Sequence, residues 1–352
     1  MAKKQNKKQS GSDGGGLLMR YPMAFVIIVG VVVVFAITAA VILFSRHDGD
    51  AKWFYLPDTP TNSAVRDSLR NALGDSEGNK VYALWRLQGG EAARAHGAYR
   101  VDPGQSVVRT ARRIKTGSQT PVKVSFNNLR TLDQLAERVC DVLECEPDSF
   151  MAACRDLLPQ AGFGTHEFPA AFLPDTYEFY WTAGGHEIVR RLLEYRNRFW
   201  NDDRRAKAKA LGLSPVQVAT LASIVEEETN NTAERPMVAR LYLNRLDRGM
   251  KLQADPTVKF ATGDFALKRI RNGHLSVNSP FNTYLNHGLP PGPIRVPAAA
   301  TIDAVLNAPH HDFLYMCAKE DFSGTHNFAE NYSDHLINAR RYQAALDRRN
   351  IK

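Results

Sequence analysis

Apolar and polar positions follow several rhythms along the chain, and the first change between them is the sharpest. A polar, lysine-bearing start, MAKKQNKKQSGSDGGG, gives way to an apolar run from Met23 to Phe44 that holds no charged side chain. At about 1.5 Å per residue such a run covers the hydrocarbon core of a bilayer as one helix. A cleaved signal sequence fits poorly, because its apolar stretch is only about 7–15 residues and ends at small residues. Here Val41, Ile42, Leu43 and Phe44 continue past Ala39 and Ala40. The run therefore predicts an uncleaved anchor over residues 23–44. Lys3, Lys4, Lys7, Lys8 and Arg20 precede it, whereas the signs are mixed between Arg46 and Lys52. The positive-inside rule then predicts a cytoplasmic tail over residues 1–22 and an extracytoplasmic remainder, as in a single-pass protein of the cell (inner) membrane.

Beyond the anchor, residues 45–97 hold short mixed segments, such as Val81 to Trp85, that read equally as strand or helix. The next stretch is more legible. Tyr99 to Val101 reads as extended and Asp102-Pro103-Gly104 as a turn, after which Ser106 can cap a helix with Val107, Val108, Ala111 and Ile114 on one face. Gly117 ends that helix. Val122 to Phe126 alternates like a strand, and Thr131 with Gln134 forms a capping box ahead of Leu135, Val139, Val142 and Leu143. A strand–helix–strand–helix stretch of this size suits a binding or spacer role.

The aromatic-rich segment from Phe172 to Trp181 is compatible with a core strand or with a sugar-stacking wall. Ser214, Pro215 and Gln217 place a cap, a first-turn proline and a capping-box glutamine, and so predict a helix from Pro215 to about Thr229. A second helical pattern runs from Met237 to Leu246, with Val238, Leu241, Tyr242 and Leu246 at helical spacing. From Gly249 to Pro297 the chain is crowded with Asn, Pro and Gly and predicts a long loop tract, which in a compact domain is usually functional or disordered. Polar side chains beside prolines, as at Asp255-Pro256 and Ser279-Pro280, favour function.

Composition changes this picture little. The net charge is +8, but the basic residues are scattered in pairs such as Arg190-Arg191 and Arg204-Arg205, which are usually solvated helix faces. No nucleic-acid partner is expected. An anionic wall or membrane surface suits an extracytoplasmic domain better. Of the four cysteines, Cys140 and Cys145 are expected on one helix or its end, too far apart to bridge, so that a bond of Cys154 to one of them is the expectation if any forms. Cys317 reads as a small buried hydrophobe. No spacing suits zinc.

Glu226, Glu227 and Glu228 end the first of the two helices. At about 100° per residue, Glu228 falls on the stripe of Leu221, Ile224 and Val225, while its two neighbours diverge to either side. A carboxyl there meets the negative end of the helix dipole and apolar neighbours, and both raise its pKa. That suits a general acid. A buried, hydrogen-bonded structural glutamate is the competing reading of the same geometry.

LASIVEEET from Leu221 to Thr229, Glu234-Arg235, Leu243-Asn244-Arg245-Leu246 and the run from Gly249 to Val258 follow one another in order. Ser279 to Tyr284, Gly288 to Ile294 and Gly324 to Phe328 continue the series, and Leu173 to Tyr177 stands upstream. Together these resemble the core signature of MltG/YceG-like endolytic murein transglycosylases, over the chain from about Tyr99 onward. Residues 259–278 and those before Tyr99 lie outside the resemblance.

The resemblance implies an α+β fold, with a small LysM-like module over residues 98–165 and a mixed α/β catalytic domain of the YceG type over residues 166–352. It places the catalytic acid at Glu228, the second acid of a Glu-x-Glu-Thr motif. Gln253, Asp255, Asn282, Thr283, Tyr284 and His326 become candidates for substrate binding, although Asn and Asp beside turns often only pin their loops. The implied reaction cuts the MurNAc-GlcNAc bond of peptidoglycan glycan strands without water or cofactor and leaves a 1,6-anhydro end. One acid then suffices, where a hydrolase usually needs two carboxylates. Peptidoglycan synthases are expected partners. A wall-binding scaffold without turnover is the alternative, while a pyridoxal-phosphate lyase, needing a cytoplasmic cofactor site, conflicts with the topology.

Overall fold

The computed structural model describes residues 22–267 and 270–349. The expected cytoplasmic tail, with Lys3, Lys4, Lys7, Lys8 and Arg20, lies outside the described residues. Helices dominate, accompanied by three two-stranded antiparallel sheets among the described residues. The chain divides into two compact units, 1–120 and 121–352.

In the first unit, α1 (Pro22–Phe44) is long and apolar enough to cross a membrane, and none of its apolar window is buried within the protein. Strands β1 (Lys52–Leu56) and β2 (Gly97–Val101) pair antiparallel with Phe54 opposite Tyr99, and the two rings stack 5.3 Å apart. Between the strands runs α2 (Asn62–Leu87), bent back on itself at Gly74, whose φ of +81° lies where other residues pay strain. The two halves meet so closely that a Cβ on Gly78 would stand 2.7 Å from the Arg70 Cα. The ambiguous Val81–Trp85 segment is thus helical, and Val81 and Trp85 fill the core with Val65 and Leu69. Helix α3 (Val107–Thr116) closes the unit. Its first turn is capped by Ser106 Oγ, which accepts from the Arg109 N–H at 3.3 Å, and its end by Gly117 at φ +64°.

The second unit begins with β3 (Val122–Ser125), α4 (Leu132–Cys140) and α5 (Pro147–Gln160). It continues through β4 (Thr176–Phe179), α6 (Gly185–Phe199) and α7 (Asp202–Ala210) to α8 (Pro215–Glu228) and α9 (Arg235–Asp247). Helices α10 (Asp255–Thr262), α11 (Asn272–Leu275) and α12 (Ala299–Leu306) follow, then β5 (Tyr315–Ala318), β6 (His326–Ala329) and α13 (Tyr332–Arg348). Helix α8 is the hub, packing against α9, α10 and α12. Both its capping-box bonds form, Gln217 N–H to Ser214 Oγ at 3.2 Å and Ser214 N–H to Gln217 Oε1 at 2.8 Å. Phe172, Tyr177 and Phe179 are buried, so the aromatic segment supplies core.

Three sequence expectations are corrected. The stretch over 98–165 is not one body, because β2 pairs with β1 in the first unit and β3 with β4 in the second. The bridged cysteines are Cys140 and Cys145, with Cα atoms 5.1 Å apart. Helix α4 stops at Cys140, and the chain leaves it through a turn in which the Val142 N–H bonds the Val139 carbonyl three residues back, so the spacing of a continuous helix does not apply. Cys154 is unbridged and buried. Within the 249–297 tract, α10 is a regular helix, begun at Asp255 with Pro256 in its first turn, where proline is tolerated.

Candidate active site

Helix α8 is not amphipathic: every residue from Val218 to Glu226 is buried. Its hydroxyls are consumed locally, Thr220 donating to the Val216 carbonyl and Ser223 to the Thr220 carbonyl, while Ser223 Oγ accepts from the Ile294 N–H at 3.0 Å. Three acids therefore enter the structure together at the negative end of the helix dipole, a costly arrangement unless each is compensated.

The compensation differs for each. Glu226 pairs with Arg295 at 3.2 Å and accepts from the Ala298 N–H and the Thr301 hydroxyl. Glu227 takes two bonds from Arg130 and a third from Arg295 at 2.8 Å. Arg295 is in turn steadied by Asn128, which holds φ +52°, a left-handed backbone that asparagine tolerates better than most residues. Glu228 has no such arginine. Its Oε2 is buried with no hydrogen-bond partner among the described residues. Burial and the Asp255 charge push its pKa up to about 7, against the smaller pull of a Tyr242 hydrogen bond and of the Arg245 charge. The Tyr242 hydroxyl is itself pushed well above its ordinary value by burial and by Glu228, and so keeps the proton it donates. All three acids face inward, contrary to the one-sided reading of the helix. What singles out Glu228 is that, among the described residues, it makes no ion pair.

A cavity of about 190 Å³ opens on this carboxyl, lined by Glu228, Leu241, Tyr242, Arg245, Gln253, Asp255, Tyr284 and Met316. Asp255 accepts a 2.6 Å hydrogen bond from the Tyr284 hydroxyl. Gln253 stands at φ +50°, strained for a residue with a side chain. Arg245 is fixed by bonds to the Leu314 and Leu252 carbonyls and stacks 5.5 Å from the Tyr315 ring. A larger groove of about 530 Å³ adjoins the cavity and shares Glu228 and Asp255 with it.

Of the residues singled out by sequence, Glu228, Gln253, Asp255 and Tyr284 meet at this cavity. Asn282 and Thr283 lie behind it. The Asn282 amide donates to the Leu275 and Val277 carbonyls, and its Oδ1 accepts from the Tyr284 N–H. Thr283 Oγ1 accepts from the Ala254 N–H and bonds the Thr257 hydroxyl. Both are buried, so they pin the loop that presents the others. His326 bonds Glu234 through its ring and its backbone N–H, and Glu234 accepts from the Thr229 hydroxyl, so this trio anchors the residue after Glu228. Sequence reasoning read Tyr242 as core and gave Arg245, Arg130 and Arg295 no role. The available signal was Tyr242 and Arg245 three apart, and so on one face of a helix, beside the apolar positions Val238 and Leu241.

An α+β chain with a span-length apolar helix and a cleft around one uncompensated acid is the class that fold and site define. The YceG-like family model matches residues 54–341, and the chain belongs to the YceG-like family. It is 24% identical over 284 residues to the endolytic murein transglycosylase of Bacillus subtilis (strain 168), covering 76% of this chain and 78% of that protein. It is 33% identical over 131 residues to the endolytic murein transglycosylase of Streptococcus pneumoniae serotype 2 (strain D39), 36% of this chain and 24% of that protein. The crystal structure of the yceG-like protein lmo1499 of Listeria monocytogenes matches in fold with a TM-score of 0.51 at 24% identity, covering 82% of this chain and 98% of that one.

Proposed function

We propose that this chain is a lyase, an endolytic transglycosylase that cuts the MurNAc-GlcNAc bond of peptidoglycan glycan strands. The observation that carries the reading is the Glu228 carboxyl at the cavity, one oxygen of which is buried without a hydrogen-bond partner among the described residues, and which near neutral pH is populated both with and without its proton. The names of the Bacillus and Streptococcus relatives support the substrate class.

Glu228 gives its proton to the glycosidic oxygen as the C1–O bond breaks. The resulting carboxylate takes the proton of the sugar's own C6 hydroxyl as that oxygen attacks C1, leaving a 1,6-anhydro end and returning the acid to its starting form. No water enters the balance. The Tyr242 hydroxyl orients the carboxyl, and the Asp255 charge opposes the positive charge that develops at C1. Gln253 and Tyr284 orient the sugars. The reaction ends glycan elongation beside peptidoglycan synthases, with α1 as a single-pass anchor and both units outside the cytoplasm.

Asp255 is a second carboxylate in the cavity, which is the observation that favours the rival reading, a hydrolase. Mass analysis of the fragments released from isolated strands by the full-length chain in detergent separates the readings. Anhydro ends are expected; reducing ends that incorporate water would make it a hydrolase, and no cleavage would leave a wall-binding scaffold.

A further inference from the structure

The groove beside the cavity has a chemistry that sugar binding does not use. Of its carboxylates, Glu227 is held by Arg130 and Arg295 and Asp255 by Tyr284. Pro256, Leu267, Ile270 and Tyr342 give it an apolar wall. Its one basic group among the described residues is Lys259. In α10, Lys259 lies one turn beyond Asp255, so both side chains project from the same face of the helix. Lys259 is partly exposed, and its ammonium has neither a hydrogen bond nor an ion pair among the described residues. Arg245, the cation of the smaller cavity, spends its N–H groups on two backbone carbonyls.

Sugar hydroxyls and N-acetyl groups are neutral and do not call for an ammonium, and of the wall only Tyr342 offers a ring on which a sugar could stack, while Pro256, Leu267 and Ile270 are aliphatic. The anionic groups of murein are carboxylates carried on the lactyl arm of muramic acid, most of them on its short peptide, whose alkyl side chains suit such a wall. We propose that this groove is a subsite for that peptide, with Lys259 pairing one of its carboxylates, so that cleavage selects peptide-bearing strands. The proposal rests on the transglycosylase reading and adds the part of the substrate that lies beyond the sugars.

The test uses the full-length chain in detergent as wild type, Lys259→Ala and Lys259→Arg. Three substrates are compared: uncross-linked strands with their peptides, the same strands with carboxylates capped as methylamides, and strands stripped to the free lactyl carboxylate. On peptide-bearing strands Lys259→Ala should lower kcat/KM for anhydro-end release about five-fold, as expected for one partly exposed ion pair. Lys259→Arg should restore it. Capping should bring the wild type down to the alanine variant and leave that variant unchanged. On stripped strands the wild type and Lys259→Ala should match, which also shows that the variant folds. Equal rates on peptide-bearing strands, or a defect that survives capping, would overturn the subsite. So would a defect on stripped strands as large as on peptide-bearing ones, which would assign the ammonium to the lactyl carboxylate. If the wild type releases no anhydro ends from any substrate, the parent reading fails, and this one with it.

Discussion

Three consecutive glutamates meet the same helix end and leave it in different electrostatic states. Glu226 and Glu227 are paired with Arg295 and Arg130, whereas Glu228, its pKa pushed up to about 7, holds a proton that it can trade near neutrality. Glu228→Gln preserves shape but can neither give nor take that proton. General acid–base catalysis contributes on the order of 10²–10⁴ in rate, so one residue serving both steps should leave anhydro-end release near background. Glu226→Gln and Glu227→Gln should behave differently. They unbalance the pairs around buried Arg295, so they should lower the melting temperature while the surviving activity still gives anhydro ends with an unmoved pH profile. Turnover by Glu228→Gln comparable to wild type would sink the assignment.

The sign of the pH effects follows from the raised pKa. The acid form is lost as pH rises through about 7, so kcat/KM should fall above that value. Folding should respond in the same direction. Protonated Glu228 contributes its full stability below its unfolded pKa, near 4.5, and the contribution is lost as pH rises through about 7. Glu228→Gln should therefore be more stable than wild type at pH 8, by on the order of 2–3 kcal/mol, with the gap closing toward pH 4.5. Denaturant titration at the two pH values measures it. Sequence periodicity picked out this glutamate, but for an incomplete reason. A stripe argument assumes one wet face, and α8 has none; the arginines that distinguish its acids come from 97 and 68 residues away.

At the scale of elements, caps were the most legible feature, because a cap is a contact within four residues. The Ser214–Gln217 and Thr131–Gln134 boxes both form. Helix α10 was hidden by its Asp-Pro start, and the Cys140–Cys145 bridge by the assumption that α4 continues. The 249–297 tract is ordered from behind. Asn282→Ala removes two bonds to the Leu275 and Val277 carbonyls and the acceptor of the Tyr284 N–H, all in buried surroundings. An unsatisfied buried polar group costs about 1–3 kcal/mol. Stability and activity should fall together, since the loop carrying Tyr284, and through it the partner of Asp255, is released. Loss of activity at an unchanged melting temperature would instead give Asn282 a direct hold on the substrate.

At the scale of the whole molecule, the apolar helix and the chemistry belong to separate compact units, and the core of the first unit draws on β1, α2, β2 and α3 without any residue of α1. The anchor should therefore act through location alone. A chain starting after Phe44 should be soluble, keep the melting behaviour of the full-length protein and release anhydro ends from isolated strands at a similar rate. In the intact cell the direction of insertion matters, and the charge bias is confined to residues ahead of the span, at Lys3, Lys4, Lys7, Lys8 and Arg20. Everything after Arg46 should then lie outside the cytoplasmic membrane. A reporter fused at Lys352 that is active only outside the cytoplasm should report, and one active only inside should stay silent. The opposite pattern would put Glu228 on the side of the membrane without glycan strands, and the proposed reaction would have no substrate there.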